Sequence, residues 1–100
     1  MFGKKAILRK IQENAKQIIK FGVKRIALFG SVVKGVHRKD SDIDILVVFE
    51  EGKETFDNYM DLKFFLEGLF GKKIDLVIED SLKPRLKQYI LKEAIYAKGL

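Results

Sequence analysis

The sequence predicts an α/β (α+β) fold, a three-stranded mixed sheet with helices packed on it, in the order α-β-(short α)-β-α-β-α. Three observations lead there. Apolar residues recur at helical spacing in three long segments. Three short runs rich in Ile, Val and Phe lie between them, set off by Gly or charged residues. The second and third runs are separated by a helix of crossover length, which makes them parallel neighbours.

Residues 4–21 place Ile7, Ile11, Ala15, Ile18 and Ile19 on one helical face and Lys and Arg on the other, with Gly22 as the C-terminal stop. Arg25 to Phe29 reads as a short buried strand closed by Gly30. A brief helical turn starts at Ser31, and a polar loop runs from Gly35 to Ser41. Ile43 to Phe49 is nearly continuous in apolar residues and is therefore a central strand. Glu50-Glu51-Gly52 leads into a helix from about Thr55 to Phe70. Its inward face is expected to hold Phe56, Tyr59, Leu62, Phe65, Leu66 and Leu69, and Gly71 stops it. Lys73 to Ile78 is the third strand. Ser81 is the expected cap of a last helix, with Pro84 in its first turn, where a missing N–H is harmless. That helix is expected to reach about Lys98 and to bury Leu86, Tyr89, Ile90 and Ala94.

One hundred residues suit a single domain, 1–100, with one core. Apolar residues at 47% with a single Pro argue for a folded globule. With no cysteine there are neither disulfides nor thiolate metal sites. No apolar run approaches the roughly 18 residues of a bilayer span, and Arg9 and Lys10 interrupt any signal-like start, so a cytoplasmic protein is expected. Residues 1–25 hold eight Lys/Arg against Glu13, whereas residues 40–61 hold eight Asp/Glu against Lys53. The basic run follows helical spacing opposite an apolar stripe, as a solvated helix face does, which makes nucleic acid an unlikely partner. The acidic run is less ordinary, because it concentrates carboxylates where cations collect.

At the start of that acidic run stands Asp42-Ile43-Asp44, which follows Gly30-Ser31 after ten residues. A Gly-Ser that ends a strand offers backbone N–H groups to a phosphate, helped by the positive end of the following turn. Two carboxylates one residue apart on a strand face the same way. Together they are the parts needed to hold a nucleoside triphosphate and its divalent metals. For Gly30 and Ser31 to meet Asp42 and Asp44, the first two strands must be antiparallel. A parallel third strand then brings Asp75 beside the pair. Asp75, between Ile74 and Leu76, would be costly to bury unless something binds it. His37 stands alone in a polar loop and reads as a surface residue.

Gly30-Ser31, Asp42-Ile43-Asp44 and the later strand Asp75 resemble the DNA polymerase β-like nucleotidyltransferase superfamily. The likeness is greatest to its minimal nucleotidyltransferases, the MNT-domain proteins often paired with HEPN-domain toxins, and it extends over nearly the whole chain. The resemblance implies the polymerase β-like nucleotidyltransferase fold. It also implies Asp42, Asp44 and Asp75 as catalytic, metal-binding carboxylates for two Mg²⁺ ions, with Gly30, Ser31 and Lys34 on the triphosphate of ATP. Where that family often has Gly-Ser-x-Ala-Arg-Gly, this chain has Gly30-Ser31-Val32-Val33-Lys34-Gly35. Lys34 keeps the positive charge but not the bidentate fork of Arg.

Competing motifs fail. Gly35 is followed by Val36-His37 and not by Lys-Ser/Thr, so there is no P-loop. Asp40-x-Asp42-x-Asp44 imitates a calcium loop, but Ile45 occupies the position that needs Gly. A glycosidase needs two carboxylates across a sugar cleft, which a chain this short would struggle to build. The resemblance implies an antitoxin that transfers AMP from ATP to a tyrosine of a HEPN-type toxin. Two other readings compete. One is a binding module that acts by contact alone, motivated by Leu91, Ile95 and Tyr96 as a second apolar stripe for a partner or a second copy in a homo-oligomer. The other is an RNA-directed nucleotidyltransferase guided by the basic first helix. Richness in Lys, Glu and Ile hints at a thermophilic source.

Overall fold

A computed structural model describes residues 3–36, 38 and 40–100; His37, expected at the surface, lies outside them. The elements are α1 (Lys4–Glu13), α2 (Ala15–Ile19), β1 (Val23–Phe29), α3 (Ser31–Lys34), β2 (Ile43–Phe49), α4 (Phe56–Phe70), β3 (Ile74–Ile78), a 3₁₀ turn (Glu79–Ser81), α5 (Pro84–Glu93) and β4 (Ile95–Tyr96). The sheet order is β3-β2-β1-β4. β1 and β2 are antiparallel, and β2 and β3 are parallel, as the loop lengths require.

The sheet has four strands where three were expected. The last helix stops at Glu93 and not near Lys98, because Ala94 leaves helical geometry (ψ 139°). Ile95 and Tyr96 then pair antiparallel with Leu28 and Ala27 of β1, and the Ala97 N–H reaches the Ile26 carbonyl at 2.9 Å. An open β1 edge would leave ladder groups unpaired. Closing it outweighs one more helical turn, and β-branched and aromatic residues suit the task. The apolar stripe expected at Leu91, Ile95 and Tyr96 is thereby half-buried, Leu91 and Tyr96 packing beside Ile90.

The single first helix is two. Asn14 turns its side-chain amide onto the Lys10 carbonyl (2.8 Å) and adopts φ −110°, ψ 18°, ending α1. Asn competes with the helix backbone in this way wherever its side chain can reach a carbonyl. The break rotates the apolar stripe, so Ile7, Ile11 and Ile18 are fully buried while Ile19 is 48% exposed. On the opposite face Lys4, Lys5, Arg9, Lys10, Lys16 and Lys20 are exposed. Gly22 and Gly71 end their helices with φ of 85° and 63°. Thr55 caps α4 by accepting the Asn58 N–H at 3.1 Å. Phe56, expected inside, is 76% exposed in the first turn of α4.

Ser81 does not cap α5. Its hydroxyl donates to the Ile78 carbonyl at 2.7 Å and closes the 3₁₀ turn, which leaves Lys83 as the α5 cap and Pro84 in the first turn, as expected. Of the residues expected to be buried by α5, Ile90 is buried and Ala94 half-buried. Leu86 and Tyr89 are exposed, since α5 meets the sheet along one narrow line only. Among the described residues no helix is long and apolar enough to cross a membrane.

The sheet separates two apolar clusters. On one face Ile26, Leu28, Ile43, Ile45, Val47, Ile74 and Leu76 pack under α1, α2 and α4. On the other, Ala27, Phe29 and Leu46 pack under Ile90 of α5, which covers only part of that face. The period-2 alternation of the strands then sends Asp44 and Asp75 to the α5 side.

Candidate active site

The site forms where β1 ends and β2 begins. Phe29 is the antiparallel partner of Asp44, and Asp75 is its parallel partner on β3. Directly paired residues project from the same face, so these two strand pairings bring the Asp44 and Asp75 carboxylates together. Asp42 is exposed just before β2, near enough for its charge to act on Asp44. Asp44 is held above the ordinary carboxyl value of 3.8. Burial is the largest cause, followed by the charge of Asp75, a hydrogen bond with it, and the charge of Asp42, against a Ser31 backbone N–H that stabilises the anion. Asp75 itself is exposed, so its place in the cluster rests on register and not on the burial cost expected for it.

Gly30 makes room for this approach. Its φ of 75° and ψ of −144° lie in a region essentially reserved for glycine. A Cβ there would overlap the Asp44 carboxylate, 2.8 Å from its Cγ. Immediately after it, Ser31 starts α3, and Gly35 closes that turn with φ 75°. The two backbone N–H groups expected to hold a triphosphate already face carboxylates. Ser31 N–H donates to Asp44, and Gly30 N–H donates to Glu93 Oε1 at 3.3 Å.

Lys34 stands on the same turn. Its Nζ lies 3.6 Å from Glu93 Oε2, 3.5 Å from the Tyr89 hydroxyl and 5.4 Å from the Tyr89 ring centroid. Its pKa is raised above 10.5, first by the bond to Tyr89 and then by the Glu93 charge. Tyr89 and Glu93 were invisible to motif reasoning. They lie 55 and 59 residues beyond Lys34, one turn apart on a helix that no local signal ties to the Gly-Ser turn.

The donor set is all carboxylate oxygen, which fits a hard divalent cation in kind. Negative charge crowded around Asp44 is the further mark of such a place. Among the described residues, however, no three His, Cys, Asp or Glu side chains stand as a ready-made metal cage. The crowding at Asp44 and this lack of a closed cage agree if protein carboxylates supply only part of the coordination shell. Mg²⁺ is ordinarily held in that manner, with substrate phosphates and water completing it. A cleft lined by Glu54, Thr55, Phe56, Tyr59 and Ile78 contains none of these residues and plays no part in the site.

Known proteins share both the sequence and this layout. The nucleotidyltransferase domain family matches residues 8–97. A protein adenylyltransferase, MntA, of Thermococcus cleftensis is 43% identical over 77 residues, covering 77% of this chain and 77% of that protein. A solved structure described as a candidate minimal nucleotidyltransferase superposes with a TM-score of 0.73 at 41% identity, over 88% of this chain and 93% of that one. The MNT antitoxin in complex with a tri-AMPylated HEPN toxin of Shewanella oneidensis gives a TM-score of 0.59 at 25% identity, over 89% of this chain and 72% of that one. A glycine-floored turn against paired strand carboxylates, and sequence matches running through all the main elements, place this chain in the nucleotidyltransferase domain family, among its minimal members.

Proposed function

We propose that this nucleotidyltransferase transfers AMP from ATP, with Mg²⁺, to a tyrosine hydroxyl of a HEPN-type toxin, and so acts as the antitoxin of a pair. The observation that carries the reading is the Asp44–Asp75 register beside the Gly30-Ser31 turn, with Asp42 adjoining. Two likenesses support the acceptor: the name of the Thermococcus relative, a protein adenylyltransferase, and the Shewanella antitoxin bound to an AMPylated HEPN toxin.

In this reading the tyrosine oxygen attacks the α-phosphorus of ATP, an O–P bond forms, and the bond to the pyrophosphate oxygen breaks. Asp42, Asp44 and Asp75 would hold Mg²⁺, which when bound offsets triphosphate charge and makes the attacking hydroxyl more acidic. Asp75, the exposed member beside Asp44, would accept the proton that the tyrosine hydroxyl gives up as the O–P bond forms. Gly30 and Lys34 bind the outer phosphates, and Ser31 N–H keeps Asp44 oriented toward them. The missing side chain at Gly30 lets the Asp44 carboxylate sit against the turn that would bind the phosphates.

The stripe that motivated contact-only inhibition is reduced, since Ile95 and Tyr96 pair with β1 and, like Leu91, are half-buried. The basic faces of α1 and α2 are accounted for as the solvated side opposite buried Ile7, Ile11 and Ile18. The test is transfer itself. The purified chain, given Mg²⁺, labelled ATP and the protein encoded beside it, should label that protein on tyrosine. An unlabelled neighbour would sink the acceptor assignment.

A further inference from the structure

The donors assigned to the triphosphate are already occupied by an anion from the chain itself. Glu93 reaches from α5 with both carboxylate oxygens, Oε1 accepting the Gly30 N–H at 3.3 Å and Oε2 lying 3.6 Å from Lys34 Nζ. These are the two groups, one backbone and one side chain, that the proposed function gives to the outer phosphates. A carboxylate presents the same charge sign and a similar pair of oxygens to a phosphate, so the two anions compete for the single Gly30 N–H and repel one another beside Lys34.

We infer that Glu93 is an internal stand-in for phosphate, which fills the triphosphate cradle when nucleotide is absent and sets nucleotide affinity by competing for Gly30 and Lys34. The inference rests on the phosphate-binding role proposed above for those two residues. Its structural basis is the way α5 is mounted. Ile90 is buried against Ala27, Phe29 and Leu46, which fixes the helix on the sheet, while Glu93 is carried one turn beyond. The backbone therefore stays put, and only the flexible Glu93 side chain needs to swing out when phosphate arrives. Tyr89 stays against Lys34 through the exchange, its ring under the ammonium at 5.4 Å, and keeps that lysine aimed at the cradle. Glu93 has a purpose in the empty state as well. Without it, the Lys34 ammonium and the Gly30 N–H would stand open to any passing anion.

The experiment compares the wild-type chain with Glu93→Gln in binding a non-hydrolysable ATP analogue and inorganic tripolyphosphate, by calorimetry with Mg²⁺. Gln keeps the size of the side chain but removes the charge. A partly exposed ion pair and one charge-assisted bond predict tightening on the order of three- to tenfold for both ligands. In partner labelling, KM for ATP should fall by a similar factor with little change in kcat. Adding Lys34→Ala to Glu93→Gln should erase the gain. A second measurement needs no variant: the Glu93 side-chain carboxyl ¹³C resonance of the wild-type protein should shift on adding tripolyphosphate. Equal or weaker binding by Glu93→Gln, or an unmoved Glu93 resonance at saturation, overturns the inference and leaves the nucleotidyltransferase reading standing. Failure of both proteins to bind either ligand overturns the phosphate site and the inference together.

Discussion

The two faces of the sheet are built to different ends. The face under α1, α2 and α4 is closed, and its central side chains Ile26, Leu28, Ile43, Ile45, Val47, Leu62 and Leu66 are essentially inaccessible. The face under α5 is only partly covered. It buries Ala27, Phe29, Leu46 and Ile90 but also gathers the Asp44 and Asp75 carboxylates, with Asp42 adjoining. The same strands supply both faces by alternation, so one residue of register separates a core side chain from a site side chain. One face buries most of the apolar core, and the other carries an electrostatic cost at Asp44.

Four substitutions would break or sharpen that contrast. The largest effect belongs to the open face. Asp42→Asn with Asp44→Asn should reduce labelling of the partner on the order of 10³-fold or more, as expected when several kcal/mol of charge stabilisation is removed. Circular dichroism should find the variant folded. Next comes the closed face, where Leu66→Ala leaves a cavity at a fully buried position. It should cost about 2–5 kcal/mol in denaturant unfolding, with labelling per folded molecule unchanged. If Leu66→Ala instead altered nucleotide affinity strongly, the two faces would not be separable.

Tyr96→Phe probes the seam at which β4 joins the sheet. The Tyr96 hydroxyl donates to Glu79 at 2.6 Å, and Glu79 is a buried charged residue with only 7% exposure. Removing the donor should cost about 1–3 kcal/mol. Burial, then the bond and charge of Glu79, push the phenol up to about 12. An unfolded tyrosine releases its proton near pH 10. The contribution of Tyr96 is therefore fully present below that value and is lost as pH rises toward about 12. Tyr96→Phe should flatten that alkaline loss in thermal melts.

The smallest effect is opposite in sign. Asp44 holds its proton more tightly folded than unfolded, chiefly through burial and then through Asp75. Its contribution to stability is present below the ordinary carboxyl value of 3.8 and is lost as pH rises through the raised folded value. At neutral pH the unliganded chain thus carries a destabilising charge. Asp44→Asn should raise its Tm at pH 7 by a few degrees, 1 kcal/mol being about 4–8 °C for a domain of this size. That advantage should vanish below pH 3.8. A lower Tm for Asp44→Asn at pH 7 would show that the Ser31 N–H bond outweighs burial and repulsion.

Much of this was legible in advance because it depends on local rules. β2 begins and ends at Ile43 and Phe49 as its apolar run dictates, and the crossover length of α4 made β3 parallel to it. Those two facts already place Asp75 beside Asp44. Errors arose in two ways. Local side-chain bonds to the backbone redirected the chain at Asn14, which broke one helix into two, and at Ser81, which closed a turn and did not cap a helix. A tertiary contact, the free edge of β1, drew Ile95 and Tyr96 out of the helix their spacing suggests.

The sequence by itself determined the Gly30-Ser31 turn and the strand register that sets Asp75 beside Asp44. Each follows from chain geometry within a strand or across one connection. Only the tertiary structure decided that Glu93 would sit on the Gly30 N–H and, with Tyr89, on Lys34. Their position depends on how α5 lies across the sheet, and that is set by the burial of Ile90 against Ala27, Phe29 and Leu46, a packing that no spacing along the chain encodes.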